Sequence, residues 1–313
     1  MSIISVTLKV KRSLLLPALL FTFAMSSLAC EICGCGNNNF QIGILPSFSK
    51  GFIGLRYTGS IYHSKMHNNA SEYSNDYYRS MELWGGYNFK RIQVIGFVPY
   101  FHARKVSDDG TTVSNGLGDA LVILNYRLWT TVSLLKNETT TLRNELYFGG
   151  GIKLPTGVNR VDAGSADFNI GDFNSQAGTG SIDYLVNLTH NIQWNNQGIV
   201  TNIAYRINSK NSQDYRFGNR SYINGSYFYT FNAASLKIKP SAGINFQHNA
   251  LNSYKGADVE ESNGYNFNST FGINVLKNKL GLNAMVFVPI AQNAYDGQTK
   301  LQSRLVMGLT YSF

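Results

Sequence analysis

Charge is scarce in this 313-residue chain: Asp, Glu, Lys and Arg together make up 14% of it, where soluble domains carry about 25%. Cysteine is scarcer still. The three that occur, Cys30, Cys33 and Cys35, sit within six residues of one another, so no disulfide framework staples the remainder. Long apolar runs are missing beyond the first thirty residues, and crossing a bilayer as a helix takes about 20 apolar residues. Basic runs are missing too. The formal net charge is +9, but Lys9, Lys11 and Arg12 fall in a leader-like segment, and without them 24 basic residues face 18 acidic ones. That excludes a nucleic-acid partner, which would need a clustered basic face. Histidines number five, His63, His67, His102, His190 and His248. None is spaced with a serine and a carboxylate in a way that builds a nucleophilic site, so the chain reads as a non-enzyme.

What is abundant is aromatic and small: 19 Tyr, 19 Phe and 30 Gly. Low charge with many aromatics suits a lipid-facing barrel with an aromatic girdle. The last thirteen residues carry the pattern most plainly. Leu301, Ser303, Leu305, Met307, Leu309, Tyr311 and Phe313 alternate with Gln302, Arg304, Val306, Gly308, Thr310 and Ser312, a period-two pattern with one apolar side. A free apolar strand at the end of a soluble chain invites aggregation. In a closed membrane barrel it pairs with the first strand and faces lipid. The ending Gly308-Leu309-Thr310-Tyr311-Ser312-Phe313 also resembles the carboxy-terminal signature, Gly-x-x-aromatic-x-aromatic, of bacterial outer-membrane barrel proteins.

Taken in order, residues 1–29 read as a secretory signal. A basic stretch (Lys9, Lys11, Arg12) precedes a short apolar one, and Ser27-Leu28-Ala29 offers small residues before a cut. Residues 30–50 then form a periplasmic segment opening on C-x-x-C-x-C. Three fates stay open for it: a lipid anchor on Cys30, a local disulfide, or a thiolate site for Cu(I) or Zn(II) or redox exchange. A periplasmic partner for this segment is the corresponding expectation.

Residues 51–313 alternate throughout. Strands are expected at 51–61, 77–89, 92–103, 117–128, 142–154, 179–192, 199–208, 217–229, 236–248, 265–276, 280–290 and 301–313. Long polar connections at 63–76, 105–115, 155–178, 209–215, 249–262 and 291–300 alternate with mostly short ones, 131–141 being longer than the pattern wants. Long loops on one rim and short turns on the other predict an all-β, transmembrane antiparallel β-barrel of about 12 strands in the Gram-negative outer membrane, with long extracellular loops and short periplasmic turns. A soluble all-β sandwich is the alternative architecture.

Parity along these strands sends Arg56, Glu82, Asp119, Arg127, Arg143, Glu145, Lys153, Asp183, Arg206, Lys237, Lys239 and Arg304 into the lumen. Buried charges must be paired or wet, so the interior is either a salt-bridged plug or an aqueous path. Asp119 and Asp183 have Arg127, Arg143 or Lys153 as candidate partners. Three short stretches interrupt the alternation: Gly116-Leu117-Gly118-Asp119, Gly149 to Gly157 (GGGIKLPTG), and Gly178 to Asp183 (GTGSID). Each suits strand ends and close backbone approach at a rim.

In this order and spacing the three stretches resemble the meta-pathway phenol-degradation (MetA-like) outer-membrane protein family. That resemblance implies a channel in contact with outer-membrane lipid, passing a small aromatic, hydrophobic or anionic solute. The cysteine cluster departs from the family pattern and sustains a second reading, a barrel that anchors a periplasmic metal-binding or redox segment.

Overall fold

A computed structural model describes residues 50–66, 69–107, 110–134, 141–165 and 168–313. The leader, the cysteine cluster and the metal site proposed on it lie outside the described residues. Within them the chain forms β1 (Gly51–Met66), β2 (Asn69–Phe89), β3 (Ile92–Ser107), β4 (Gly110–Leu117), β5 (Leu121–Leu134) and β6 (Thr141–Lys153). It continues with β7 (Asp183–Trp194), β8 (Gln197–Ile207), β9 (Tyr215–Arg216), β10 (Arg220–Tyr229), β11 (Phe231–Ala233) and β12 (Leu236–Asn249). The remaining strands are β13 (Asn252–Tyr254), β14 (Ala257–Val259), β15 (Gly264–Lys277), β16 (Leu280–Ala294) and β17 (Thr299–Ser312).

Twelve of these strands make the wall of one closed antiparallel barrel, in the order β1, β2, β3, β5, β6, β7, β8, β10, β12, β15, β16, β17. The last pairs with the first from Phe52↔Ser312 to Ser64↔Thr299, so the ladder has no free edge to expose to lipid. β4 prolongs β5 upward along β3, and β9, β13 and β14 form a separate small sheet.

The outer surface repeats the alternation read from the sequence. Ile53, Leu55, Met81, Leu83, Val98, Leu124, Ile203, Phe271, Leu282 and Leu309 are exposed on it. Near the rim bearing both ends of the barrel it carries Phe89, Tyr87, Trp129, Phe231, Tyr311 and Phe313, an aromatic girdle at one membrane interface. The turns on this rim are tight: Lys90, Asn195, Ala234 and Asn278 adopt φ of 54°, 52°, 51° and 55°, the left-handed conformation that two-residue hairpins demand. This is the periplasmic rim, since short turns mark that side.

Four sequence expectations need correction. β2 begins at Asn69, β3 reaches Ser107 and β4 starts at Gly110, so much of the polar text at 63–76 and 105–115 is strand. These hairpins stand above the apolar band, where neither face requires hydrophobic residues and no alternation marks them. β16 and β17 likewise run on to Ala294 and back from Thr299. β5 extends to Leu134, and the strand expected at 117–128 is broken at 118–120, where Gly118 N still bonds Pro99 O on β3 but Asp119 and Ala120 bond to the loop after β6. Finally, Leu301 lies inside. Between Ile61↔Ser303 and Tyr62↔Leu301 the register slips by one residue. A bulge of this kind reverses which side the chain presents beyond it, and Leu301 is buried against Tyr62.

Candidate functional site

The lumen has two unlike walls. One runs from β1 to β10 and is apolar: Phe52, Trp84, Ile95, Phe97, Leu121, Ile123, Leu185, Ala204 and Tyr222 form one contiguous buried cluster. Its aromatic end is ordered by geometry, with Phe52 edge-on to Trp84 at 4.6 Å and Trp84 stacked near Phe97 at 6.0 Å. The facing wall, on β12, β15 and β17, presents Asn245, Gln247, Asn266, Asn268, Thr270 and Thr310, all buried. Gln247 donates to Asn245 Oδ1 at 3.0 Å. A second amide chain crosses the apolar side, where Asn187 donates to Asn125 and Asn125 to Gln93, each at 2.9 Å. Gly149 makes room for this chain, because a Cβ there would stand 2.1 Å from Asn125 Oδ1.

Of the twelve charged residues expected in the lumen, seven gather in three buried or half-buried groups. Arg56 pairs with Glu82, its cross-strand neighbour, and its guanidinium lies 5.3 Å and 5.2 Å from the Trp84 and Phe97 rings. That cation–π contact places the charge against the apolar wall without exposing it. Arg304 donates to Ser60 Oγ at 3.0 Å and Tyr62 Oη at 2.8 Å and sits over Phe287. Lys153 joins both acids, 2.7 Å from Asp119 Oδ2 and 2.8 Å from Asp183 Oδ2, with side chains at most 2% exposed. Arg206, buried on β8, lies within electrostatic reach of the same two carboxylates.

The remaining four basic residues mark the periplasmic mouth. Arg127 donates to the Lys90 carbonyl at 3.2 Å, and Arg143, half exposed, pairs with Glu145 at 2.8 Å. Lys239 lies 5.5 Å from the Phe228 ring, and Lys237 is exposed near it. Arg127 and Arg143 therefore do not meet Asp119 or Asp183. They stand at the opposite end of their strands, and only Lys153 closes the acid cluster.

All three motifs converge on that cluster. Asp119 leaves the strand ladder at 118–120 and accepts hydrogen bonds from Gly157 N and Thr179 N, both at 2.9 Å, and from Thr179 Oγ1 at 2.7 Å. Asp183 accepts from Ser181 Oγ at 2.9 Å and Ser209 N at 3.1 Å. The glycines allow this convergence by close approach. A Cβ on Gly178 would lie 2.6 Å from the Gly157 carbonyl carbon, and one on Gly157 would lie 2.8 Å from both Asp119 Oδ1 and the Gly118 backbone. Backbone touches backbone there, so no larger residue fits.

The motifs thereby anchor a cap over the outer mouth. Between β6 and β7 the chain runs beside β4, with Val158 N bonded to Leu117 O and Gly178 N to Val158 O. It carries a short 3-10 turn, Ile170–Ser175, capped reciprocally by Asn169 and Asp172. Phe173 of that turn stacks on Tyr215 at 4.2 Å, within an apolar cluster of Val161, Tyr215 and Phe217 with Phe168, Ile170, Tyr254 and Val259 packed around it. The turn reaches across the opening, for Asn174 Nδ2 donates to Tyr295 Oη at 3.4 Å, and Tyr295 sits in the β16–β17 turn, half the ring away. Below that contact the β16–β17 ladder is interrupted. Pairing runs from Leu280↔Tyr311 to Phe287↔Arg304 and resumes only at Ala294↔Thr299. The Gln292 side chain bridges the gap, donating to Leu301 O at 3.1 Å and accepting from Leu301 N at 2.8 Å.

Sequence reasoning missed Thr179, Ser181, Tyr62, Trp84 and Tyr222 as lumen-side partners. Thr179 and Ser181 fall within the strand expected at 179–192, but β7 begins only at Asp183, and it is the preceding loop that brings them to the acids. The tyrosines and Trp84 have the residue types expected on the lipid side, and only strand register turns them inward.

No family model matches the chain, and no curated protein matches it. Among solved structures, the COG4313 outer membrane channel from Pseudomonas putida F1 aligns with a TM-score of 0.58 at 13% identity, over 84% of this chain and 96% of that one. The beta domain of the Bordetella autotransporter BrkA aligns at 0.50 and 12% identity, over 85% and 100%. At these identities the likeness shows the fold, an outer-membrane-type β-barrel.

Proposed function

We propose that this protein is a passive outer-membrane channel for small aromatic or weakly polar organic solutes. The observation that carries the reading is the two-sided lumen. In this reading an aromatic ring would lie against the cluster of Trp84, Phe97, Ile123 and Leu185, with its hydroxyl or carboxylate turned to the buried amides of the facing wall. Binding sites for such molecules pair a largely apolar surface with a few placed polar groups. The indole N–H of Trp84 supplies one more such group, since it is buried without a hydrogen-bond acceptor among the described residues.

The charges support the same solute class. In the lumen proper Arg56 is paired with Glu82 and Lys153 with two aspartates, while buried Arg304 and the register neighbours Arg206 and Arg220 leave the interior basic. At the periplasmic mouth Arg127, Arg143, Lys237 and Lys239 outnumber Glu145, which favours an anionic or polarised solute leaving on that side. The inward side chains at mid-height are buried, so a solute passes only by parting them, which limits passage to small molecules. Liposomes containing the refolded protein should swell faster in benzyl alcohol or benzoate than protein-free vesicles do, and should show little difference in a trisaccharide. Equal swelling rates with and without protein in both aromatic solutes would overturn the reading.

A further inference from the structure

Outside the lumen, a cleft of about 780 Å³ opens at the outer mouth, between the inner face of the projecting β2–β4 hairpins and the cap. One side is fixed wall: Tyr78, Lys105, Ser107, Thr112, Ser114 and Asn115. The other is cap: Arg160, Asp162, Phe168, Asn169, Asp172 and Gln176. We propose that this cleft is a binding site for a short neutral saccharide, a di- or trisaccharide.

Three features select that chemistry. Among the described lining residues two cations (Lys105, Arg160) stand against two carboxylates (Asp162, Asp172), so this lining gives neither an anion nor a cation a net attraction. Planar polar groups are dense, and the cap's own folding fixes several of them. Asp162 Oδ1 accepts from Gly164 N at 3.0 Å, Asp172 Oδ2 from Asn169 N at 3.0 Å, and Gln176 Oε1 from Arg160 N at 3.0 Å. Each aspartate is thus held by one oxygen and retains the other for a ligand hydroxyl, and a fixed carboxylate binds at less entropic cost than a mobile one. Serine and threonine hydroxyls on the facing strands complete a donor and acceptor set suited to vicinal diols. Lastly, an aromatic ring stands on each side, Tyr78 on the wall and Phe168 on the cap, and a pyranose offers an apolar C–H face to such rings. The volume falls within the roughly 300–1,000 Å³ typical of ligand pockets. An apolar solute would leave most of these polar groups desolvated and unpaired, at a cost of about 1–3 kcal/mol for each one, so the cleft is chemically distinct from the lumen strip.

The test is equilibrium binding to the full-length refolded barrel in lauryldimethylamine oxide, a detergent without a sugar headgroup. Saturation-transfer NMR would be run with maltotriose, cellotriose and lactose, with benzoate and benzylamine as charged controls. At least one of the three sugars should bind saturably, and neither control should displace it. Binding should weaken roughly tenfold or more in an Arg160→Gln, Asp162→Asn double variant, which loses two charge-assisted hydrogen bonds. Ser114→Trp, placed on the fixed wall and independent of cap folding, should abolish it. No saturable binding by any of the three sugars, or binding unchanged in Ser114→Trp, would overturn the proposal. Solute flux through the lumen is not read by this measurement, so failure here leaves the channel reading to its own test.

Discussion

Replacing Lys153 with methionine is expected to destabilise the folded barrel by about 3–5 kcal/mol and to free the cap between β6 and β7. The cause is the site it leaves behind. Asp119 and Asp183 are 1% and 2% exposed and each is bonded to Lys153 Nζ. Without the ammonium, two buried carboxylates are left with the more distant Arg206 as their compensating charge, which costs more than the ion pair itself ever contributed. Because Asp119 also holds Gly157 and Thr179 of the cap, the strain passes directly to that segment. Urea unfolding in detergent should show the lowered midpoint, and brief protease treatment should nick the variant within 154–182 while sparing wild type. A triple variant, Lys153→Met with Asp119→Asn and Asp183→Asn, should recover much of the loss, since it removes the buried charges together. Wild-type stability and protease resistance in Lys153→Met would show that the cluster does not anchor the cap.

The second large effect is expected in the lumen. Ile123 and Leu185 face inward at the centre of the apolar wall, 0% and 3% exposed, beside the amides of Asn125 and Asn187. Changing both to asparagine extends that amide chain and interrupts the apolar strip without adding charge. Flux of benzyl alcohol through reconstituted vesicles should fall by roughly a hundredfold or more, the scale set by losing two buried aliphatic contacts at about 1.5–3 kcal/mol each. The variant should still migrate anomalously before boiling, the mark of an intact barrel. Unaltered aromatic flux in a folded Ile123→Asn, Leu185→Asn protein would remove the strip from the pathway.

The barrel was legible in the sequence wherever one face of a strand meets lipid. In β17 the alternation of Leu305, Met307, Leu309 and Tyr311 with Arg304, Val306, Gly308 and Thr310 specifies which side is which, because a shift of one residue would expose the wrong set. The same parity placed Arg56, Glu82, Lys153 and Arg304 inside. It could not say which charge meets which. Arg56 finds Glu82 through the register of the β1–β2 hairpin, and Lys153 reaches Asp119 and Asp183 across chain separations that no local pattern encodes. Above the membrane both faces of a strand meet water or polar loops, so β2 beyond Tyr77 and the β3–β4 hairpin carried no periodic signal at all. Leu301 misled for a related reason. Its residue type favours lipid, and the bulge that turns it inward next to Tyr62 leaves no trace in composition. The three glycine-bearing motifs were visible as unusual, yet their meaning lies in backbone contacts between Gly118, Gly157 and Gly178, which appear only once the three segments are brought together.

The central claim is that a narrow passage with an apolar, aromatic-rich wall crosses this barrel. Single-channel recording of the refolded protein in a planar bilayer tests it most directly, first in salt alone and then with benzyl alcohol added on one side. Small, discrete conductance steps should appear, and the aromatic solute should interrupt them in a concentration-dependent way as it occupies the strip beside Trp84 and Phe97. A silent bilayer containing protein shown to be inserted, or steps that benzyl alcohol leaves untouched, would contradict it.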